Sequence, residues 1–318
     1  MKTSITVFTI IALLLCILPG CSADSAYSEN SGKLKVIATV FPLYDFAKNI
    51  AGDRADVSLL LPSSADSHSY EPTPHDIIRI RECDVFLYIG GADDSWVEKI
   101  LAEQENVKSV RLMNSVTLLE EEIVEGMETQ EHDHEHESAD NSDNFDQHIW
   151  TSPPNAVLMT RAIADALSDK DSENAEFYKN NAEEYIKKLE ELDNAFTGII
   201  SNASRNVIVF ADRFAFRYLA DCYGLEYYAA FPGCSEESEP SAMTIAFLIE
   251  KIRREQIPVV FYGELSDKKT ANTISRETDA LPMLLHSCHT VTQEEIDSGK
   301  GYIDFMRENA ETLRIALE

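Results

Sequence analysis

A chain of 318 residues exceeds the size at which a single hydrophobic core stops growing, about 250–300 residues, and suggests two lobes or one large domain. Its 27 basic and 56 acidic side chains give a formal net charge of −29, a surface that repels phosphate backbones and argues against nucleic acid as a partner. With 44% apolar and 26% charged residues the composition is globular, which excludes wholesale disorder.

The N-terminus has the zones of an export signal: Lys2, an uncharged apolar run from Ile5 to Pro19, then Leu18-Pro19-Gly20-Cys21. The run is shorter than the ~20 residues a membrane span needs. The last four residues resemble a bacterial lipobox, which implies cleavage before Cys21, lipid on that cysteine, and an extracytoplasmic body anchored through the lipid. Residues 1–20 are then the signal peptide and 21–33 a flexible Ser/Asn/Gly-rich tether. Cys83, Cys222, Cys234 and Cys288 remain, an even number compatible with one or two disulfides, although none has CxxC spacing.

Downstream, short continuous apolar runs alternate with helical patterns: from Leu34, Val57 and Asp84 in the first half, and from Asn206, Tyr227, Pro258 and Pro282 in the second. Such runs predict parallel sheets covered on both faces. Between the groups, Tyr178, Ala182, Tyr185, Leu189, Leu192, Phe196 and Ile199 recur at alternating steps of four and three, one apolar stripe on a helix of roughly 28 residues and about 40 Å. The expected fold is α/β, with two lobes at 34–170 and 203–318 joined by a long rigid helix at 171–202.

From Glu120 to Gln147 there are 12 acidic residues and no basic ones, with His132, His134 and His136 among them. Self-repulsion and the lack of apolar periodicity predict a loosely held loop, 120–147, able to collect cations such as zinc weakly. Among the other histidines, His68 follows the second apolar run and His286 ends the last one. Ligands in open α/β sheets bind beyond the carboxyl ends of the strands, so both stand on the expected rim. Glu264 and Asp212 end runs of the second lobe on the same rim. His148 precedes the Thr151, Ser152, Pro153 helix start. His75 follows Pro74 at another helix start, where a surface role is the default, and His289 is near enough to compete with His286.

In an ordered set of segments the chain resembles the metal-binding lipoproteins of zinc and manganese ABC importers, the cluster A-I solute-binding proteins. The segments are ATVFPLYDFAKNIAGD from Ala38, HSYEPTPHDI from His68, DQHIWTSPPNA from Asp146, FRYLADCYGL from Phe216 and ELSDKKTANTISRET from Glu264. The resemblance implies two Rossmann-like lobes around one buried metal site, delivery of the ion to a permease, a monomeric body and no catalysis. His68 and His148 match the first two family ligands. The third, normally a histidine, reads Arg213, and the fourth, normally an aspartate, reads His286. The implied set is therefore His68, His148 and His286, with the fourth position open to a carboxylate, for which Glu264 is the candidate, or to water. Arg213 is expected to pair with Asp212 or Glu264, since a permanent cation cannot ligate. Three imidazoles favour Zn(II) as the transported ion over Mn(II). The competing functions are a manganese importer component, a surface adhesin or zinc buffer, and a zinc-dependent hydrolase with Glu264 as general base.

Overall fold

A computed structural model describes residues 32–102, 104, 106–127, 144–235 and 239–318. The lipobox, Cys21 and the histidines 132, 134 and 136 lie outside the described residues. Leu34–Glu318 forms one compact unit. Among the described residues no helix is long and apolar enough to cross a membrane.

The first half is a four-stranded parallel sheet with helices on its faces. In chain order it contains β1 (Leu34–Ala38), α1 (Phe41–Ala51), β2 (Ala55–Leu59), α2 (Pro74–Glu82), β3 (Val85–Tyr88), α3 (Ser95–Leu101) and β4 (Lys108–Arg111). The strand order is β2-β1-β3-β4. Its central strands are apolar on both faces: all four residues of β3 are buried, and so are Val36, Ile37 and Ala38 of β1. The edge strand β4 reads KSVR, too polar to stand out as an apolar run, and is an element the sequence pattern did not predict. Thr73 and Asp76 close a reciprocal capping box at the start of α2, leaving His75 exposed beside it, as its default role required.

After α4 (Pro153–Lys170) comes the long helix α5 (Ala175–Ser201), which starts four residues after and ends one residue before the expected span 171–202. Its stripe is buried as the spacing required, with Tyr178, Leu189 and Phe196 at 0% exposure. The helix grips both halves. Tyr185 donates from Oη to Asp45 of α1 at 2.7 Å, and the Phe196 ring stacks on Tyr223 of the second half with centroids 5.5 Å apart. The second half runs β5 (Val207–Val209), β6 (Arg213–Phe214), α6 (Arg217–Tyr223), β7 (Glu226–Tyr228), β8 (Phe231–Pro232), α7 (Ala242–Glu255), β9 (Val259–Tyr262), α8 (Lys269–Thr278), β10 (Leu281–Leu284), α9 (Gln293–Ser298) and α10 (Tyr302–Leu317). β5 pairs with β7 and β9 with β10, all parallel, and a Phe210–Phe261 bridge joins the pairs into the order β7-β5-β9-β10. The two-residue strands β6 and β8 pair separately.

The mixed class with parallel sheets and a long helix is thus the observed one. Two particulars differ. The acidic stretch expected to be loose from Glu120 to Gln147 is packed at both ends: Glu120 bridges Phe145, and Asp146 N–H donates to Leu119 O at 3.0 Å. Between those ends, residues 119–127 form a strap along the second half. Glu121 Oε1 accepts from Cys234 N–H at 2.8 Å, Glu122 accepts from Tyr227 Oη at 3.1 Å, and the Gly126 backbone lies on the Phe247 ring where a methyl group could not fit. Apolar contact and two carboxylate-to-donor pairings outweigh the self-repulsion that the charge count suggested. The second difference is that all four described cysteines, Cys83, Cys222, Cys234 and Cys288, are free thiols.

Asp45 is buried where α1 meets α5 and α10. Burial pushes its carboxyl up from 3.8 to about 6, against the opposing hydrogen bond from Tyr185. Between those two values the folded chain binds more protons than the unfolded one at this group. Its contribution is therefore fully present below 3.8 and lost as pH rises to about 6. Compared by urea unfolding, the stability of the wild type relative to Asp45→Asn is expected to fall by about 3 kcal/mol between pH 4 and pH 7. A difference independent of pH would show that Asp45 titrates normally.

Candidate metal centre

Three short loops bring imidazoles to one point. His68 sits in the single 3₁₀ turn Ser67–Ser69 that follows β2; Asp66 caps the turn, accepting from His68 N–H at 3.1 Å. His148 is fixed from both sides: Asp146 Oδ1 accepts its backbone N–H at 2.8 Å, and its carbonyl accepts from Thr151 Oγ1 at 2.8 Å. His289 follows β10. Its N–H is shared between Glu264 Oε1 at 3.2 Å and Ser287 Oγ at 3.1 Å. One nitrogen from each of these three rings lies within 4.8 Å of the other two. The ring centroids are 5.1–5.5 Å apart, and the indole of Trp150 backs His148 and His289 at 5.4 and 5.1 Å. Tetrahedral zinc with bonds near 2.05 Å needs nitrogens about 3.3 Å apart, so small ring rotations would complete such a site.

The structure departs from the sequence reading at the third imidazole. Cys288 takes φ +63°, a left-handed turn in mid-loop, and this turn sends His286 and His289 to different places. His286 goes inward. Asn309 of α10 brackets it, accepting from its N–H at 2.8 Å and donating to its carbonyl at 2.7 Å. The ring stacks on Phe305 with centroids 4.2 Å apart, and its Nδ1 accepts from Cys288 N–H at 2.9 Å. An imidazole committed in this way shapes the loop that carries His289.

The carboxylates differ from expectation as well. Glu264 accepts from Ser287 Oγ at 2.5 Å and Ser287 N–H at 3.0 Å besides His289 N–H, so it clamps the 287–289 turn. Arg213 pairs with Asp66 at 2.8 Å and donates to Ser235 O at 3.1 Å, rather than meeting Asp212 or Glu264. Asp212 accepts from Gly263 N–H at 3.1 Å, and burial raises its pKa. Asp93 and Asp146, which sequence reasoning passed over, stand behind the rings. Asp93 Oδ2 lies 2.7 Å from His68 Nδ1, off the line of a good hydrogen bond, and Asp146 Oδ1 lies 3.2 Å from His148 Nδ1. Asp93 follows β3 at the carboxyl end of the sheet, the one signal that could have found it.

These neighbours set the charge. Burial would lower the His148 pKa, but Asp146, aided by Asp93 and Glu121, raises it. His289 is driven well below the ordinary histidine range by burial first and then by His148, His68 and Arg213. Burial works to raise the Asp93 and Asp66 pKa values, yet His68 and Arg213 respectively hold them low, so both carboxylates stay ionised. Asp146, His148 and Cys234 form a second group of potential ligands behind the first, sharing His148.

A cleft of about 300 Å³ opens on the three rings, lined also by Asp66, Arg213, Asp212 and Glu264. The chain matches the family described as zinc-uptake complex component A, periplasmic, over residues 36–316. It belongs to that family. It is 33% identical to the high-affinity zinc uptake system protein ZnuA of Bacillus subtilis, over 98% of this chain and 96% of that one. It is 32% identical to the zinc-binding lipoprotein AdcA of Streptococcus pneumoniae over 98% of its own length, but spans only about 60% of that relative. The Zn(II)-bound ZnuA-like domain of the S. pneumoniae AdcA superposes with a TM-score of 0.74 at 31% identity, covering 90% of this chain and 99% of that one.

Within this zinc-uptake fold one contact decides how tightly the second half closes on His148. A Cβ on Gly233 would meet Phe214 O at 2.8 Å, Asp146 Oδ2 at 2.9 Å and His148 Nδ1 at 3.2 Å. Gly233→Ala is expected to cost about 1–3 kcal/mol in urea unfolding through overpacking against backbone that cannot yield. An unchanged midpoint would mean that the loop is free to back away.

Proposed function

We propose that this protein captures one Zn(II) ion through His68, His148 and His289 and hands it to an ABC permease, acting as a solute-binding lipoprotein outside the cytoplasm. The observation that carries the reading is the convergence of three imidazoles from separate loops, His68 and His289 beyond strand ends of the two sheets and His148 ahead of a helix start, two of them with carboxylates facing a ring nitrogen. Such carboxylates orient metal-binding imidazoles and make them better donors. Three nitrogen donors suit zinc, whereas manganese prefers oxygen. The role is one of binding, and the family membership supports it. Glu264 holds the His289 turn in place of ligating. Lipid on Cys21 would keep the body at the membrane, and His132, His134 and His136 would add weak sites.

Structural zinc sites gain about 10–16 kcal/mol, or roughly 3 kcal/mol for each of four ligands. By chelator competition, His68→Ala, His148→Ala and His289→Ala are each expected to weaken zinc binding by about 100-fold or more. His286→Ala is expected to lower thermal stability with a much smaller effect on zinc. Wild-type affinity in His289→Ala together with a large loss in His286→Ala would overturn the ligand set. Deleting the cognate permease should give a growth defect that added zinc cures.

A further inference from the structure

Three imidazoles leave one tetrahedral position. Among the described residues no fourth histidine, cysteine or carboxylate joins the three rings within 4.8 Å of all of them. Apart from Glu239, an exposed residue of the cleft lining, the nearby acids are committed elsewhere. Both oxygens of Glu264 accept from the 287–289 turn. Asp93 faces His68 and Asp146 faces His148. Asp66 divides its two oxygens between His68 N–H and Arg213. Farther along the cleft, Asp212 holds Gly263 N–H and Asp267 pairs with Lys269 at 2.5 Å.

What this chain offers the open position is a guanidinium. Arg213 lines the same cleft as all three histidines, and its charge is felt at His289. It is permanently ionised and cannot ligate. A zinc ion bound by neutral imidazoles would add two positive charges to a cleft in which the guanidinium faces Asp66, while Asp93 and Asp146 stand behind the rings. Among the described residues Arg213 uses two of its five guanidinium donors, on Asp66 and on Ser235 O. The remaining donors form a planar fork of the kind that grips carboxylates. The cleft of about 300 Å³ is also some ten times the ~30 Å³ that a water molecule occupies.

We propose that the ion is held as a ternary complex, its fourth ligand a small carboxylate-type oxyanion from solution gripped on its far side by Arg213. This rests on the zinc-binding reading above. One oxygen of the anion would complete the tetrahedron and the other would take the guanidinium, so that each positive centre neutralises its neighbour's cost. Metal capture would then depend on two solutes, and loss of the anion would loosen the metal.

The test uses metal-free full-length protein in a buffer whose only inorganic anion is perchlorate. Zinc affinity is measured by chelator competition with and without sodium formate, and in parallel with sodium hydrogencarbonate. Cobalt(II) serves as a spectroscopic probe of the same site. For the wild type, formate is expected to tighten zinc by about tenfold or more and to shift the cobalt d–d bands. Whichever of the two anions acts at the lower concentration identifies the natural one. Arg213→Met should lose the response whatever its own affinity, and Arg213→Lys should keep only part of it. Far-UV circular dichroism confirms that both variants fold. Zinc binding and cobalt spectra indifferent to both anions would overturn the proposal. So would a loss of about 100-fold in Glu239→Gln, because a protein carboxylate would then hold the fourth position. A wild type that binds no zinc at all would instead defeat the parent reading.

Discussion

An imidazole can take up a divalent cation only while it is neutral and aimed, and burying several of them together makes both conditions demanding. The arrangement around His148 meets the second. Asp146, 1% exposed, holds the backbone of the ring it stands behind, and Tyr218 donates from Oη to the Asp146 carbonyl at 2.9 Å. Tyr218 belongs to α6 of the second half, so the ligand loop of one half is set by a side chain of the other. Trp150, two residues on, extends the pattern: its Nε1 donates to Ser287 O at 2.7 Å and its carbonyl accepts from Tyr302 Oη at 2.6 Å. These bonds are all well buried, where an orphaned partner is costly, which makes the closed geometry stiff.

Electrostatically the site is divided. The strongly acidic surface attracts cations from a distance, but salt screens that attraction within about 8–10 Å, and the last few ångströms belong to specific pairs. There, His148 is pulled toward the protonated form by Asp146, and His289 is pushed from it by burial and by its positive neighbours. Two chemically identical side chains about 5 Å apart are thus prepared in opposite senses. The first is rich in compensating negative charge, the second already free of its proton.

Much of the architecture was legible because its causes are local. The central strands are continuous apolar runs, and the long helix declares itself by the four-three stripe from Tyr178 to Ile199. What escaped notice depended on contacts remote in sequence or on unmarked backbone turns. Strand β4 is an edge, so its side chains need not be apolar. Arg213 and Asp66 are 147 positions apart, and no local pattern links them. His286 and His289 have equal claims by spacing. The choice between them is made by a left-handed cysteine and by an asparagine twenty positions beyond His289, neither of which is a turn or ligand signal. The acidic tract misled in another way. Composition counts charges but not partners, and the backbone N–H of Cys234 and the hydroxyl of Tyr227 are partners enough to seat its first residues.

The antiparallel bridge between Glu120 and Phe145 has an evolutionary side. It pairs the two described segments that flank the histidine-bearing stretch. The entropic cost of a flexible loop between fixed ends rises only with the logarithm of its length, by about 0.6 kcal/mol for each doubling. Insertions or deletions between Met127 and Asn144 can therefore change how many imidazoles the chain carries while the buried trio keeps its geometry. Copy number of the histidines in that stretch and precision of the buried ones become separately heritable traits.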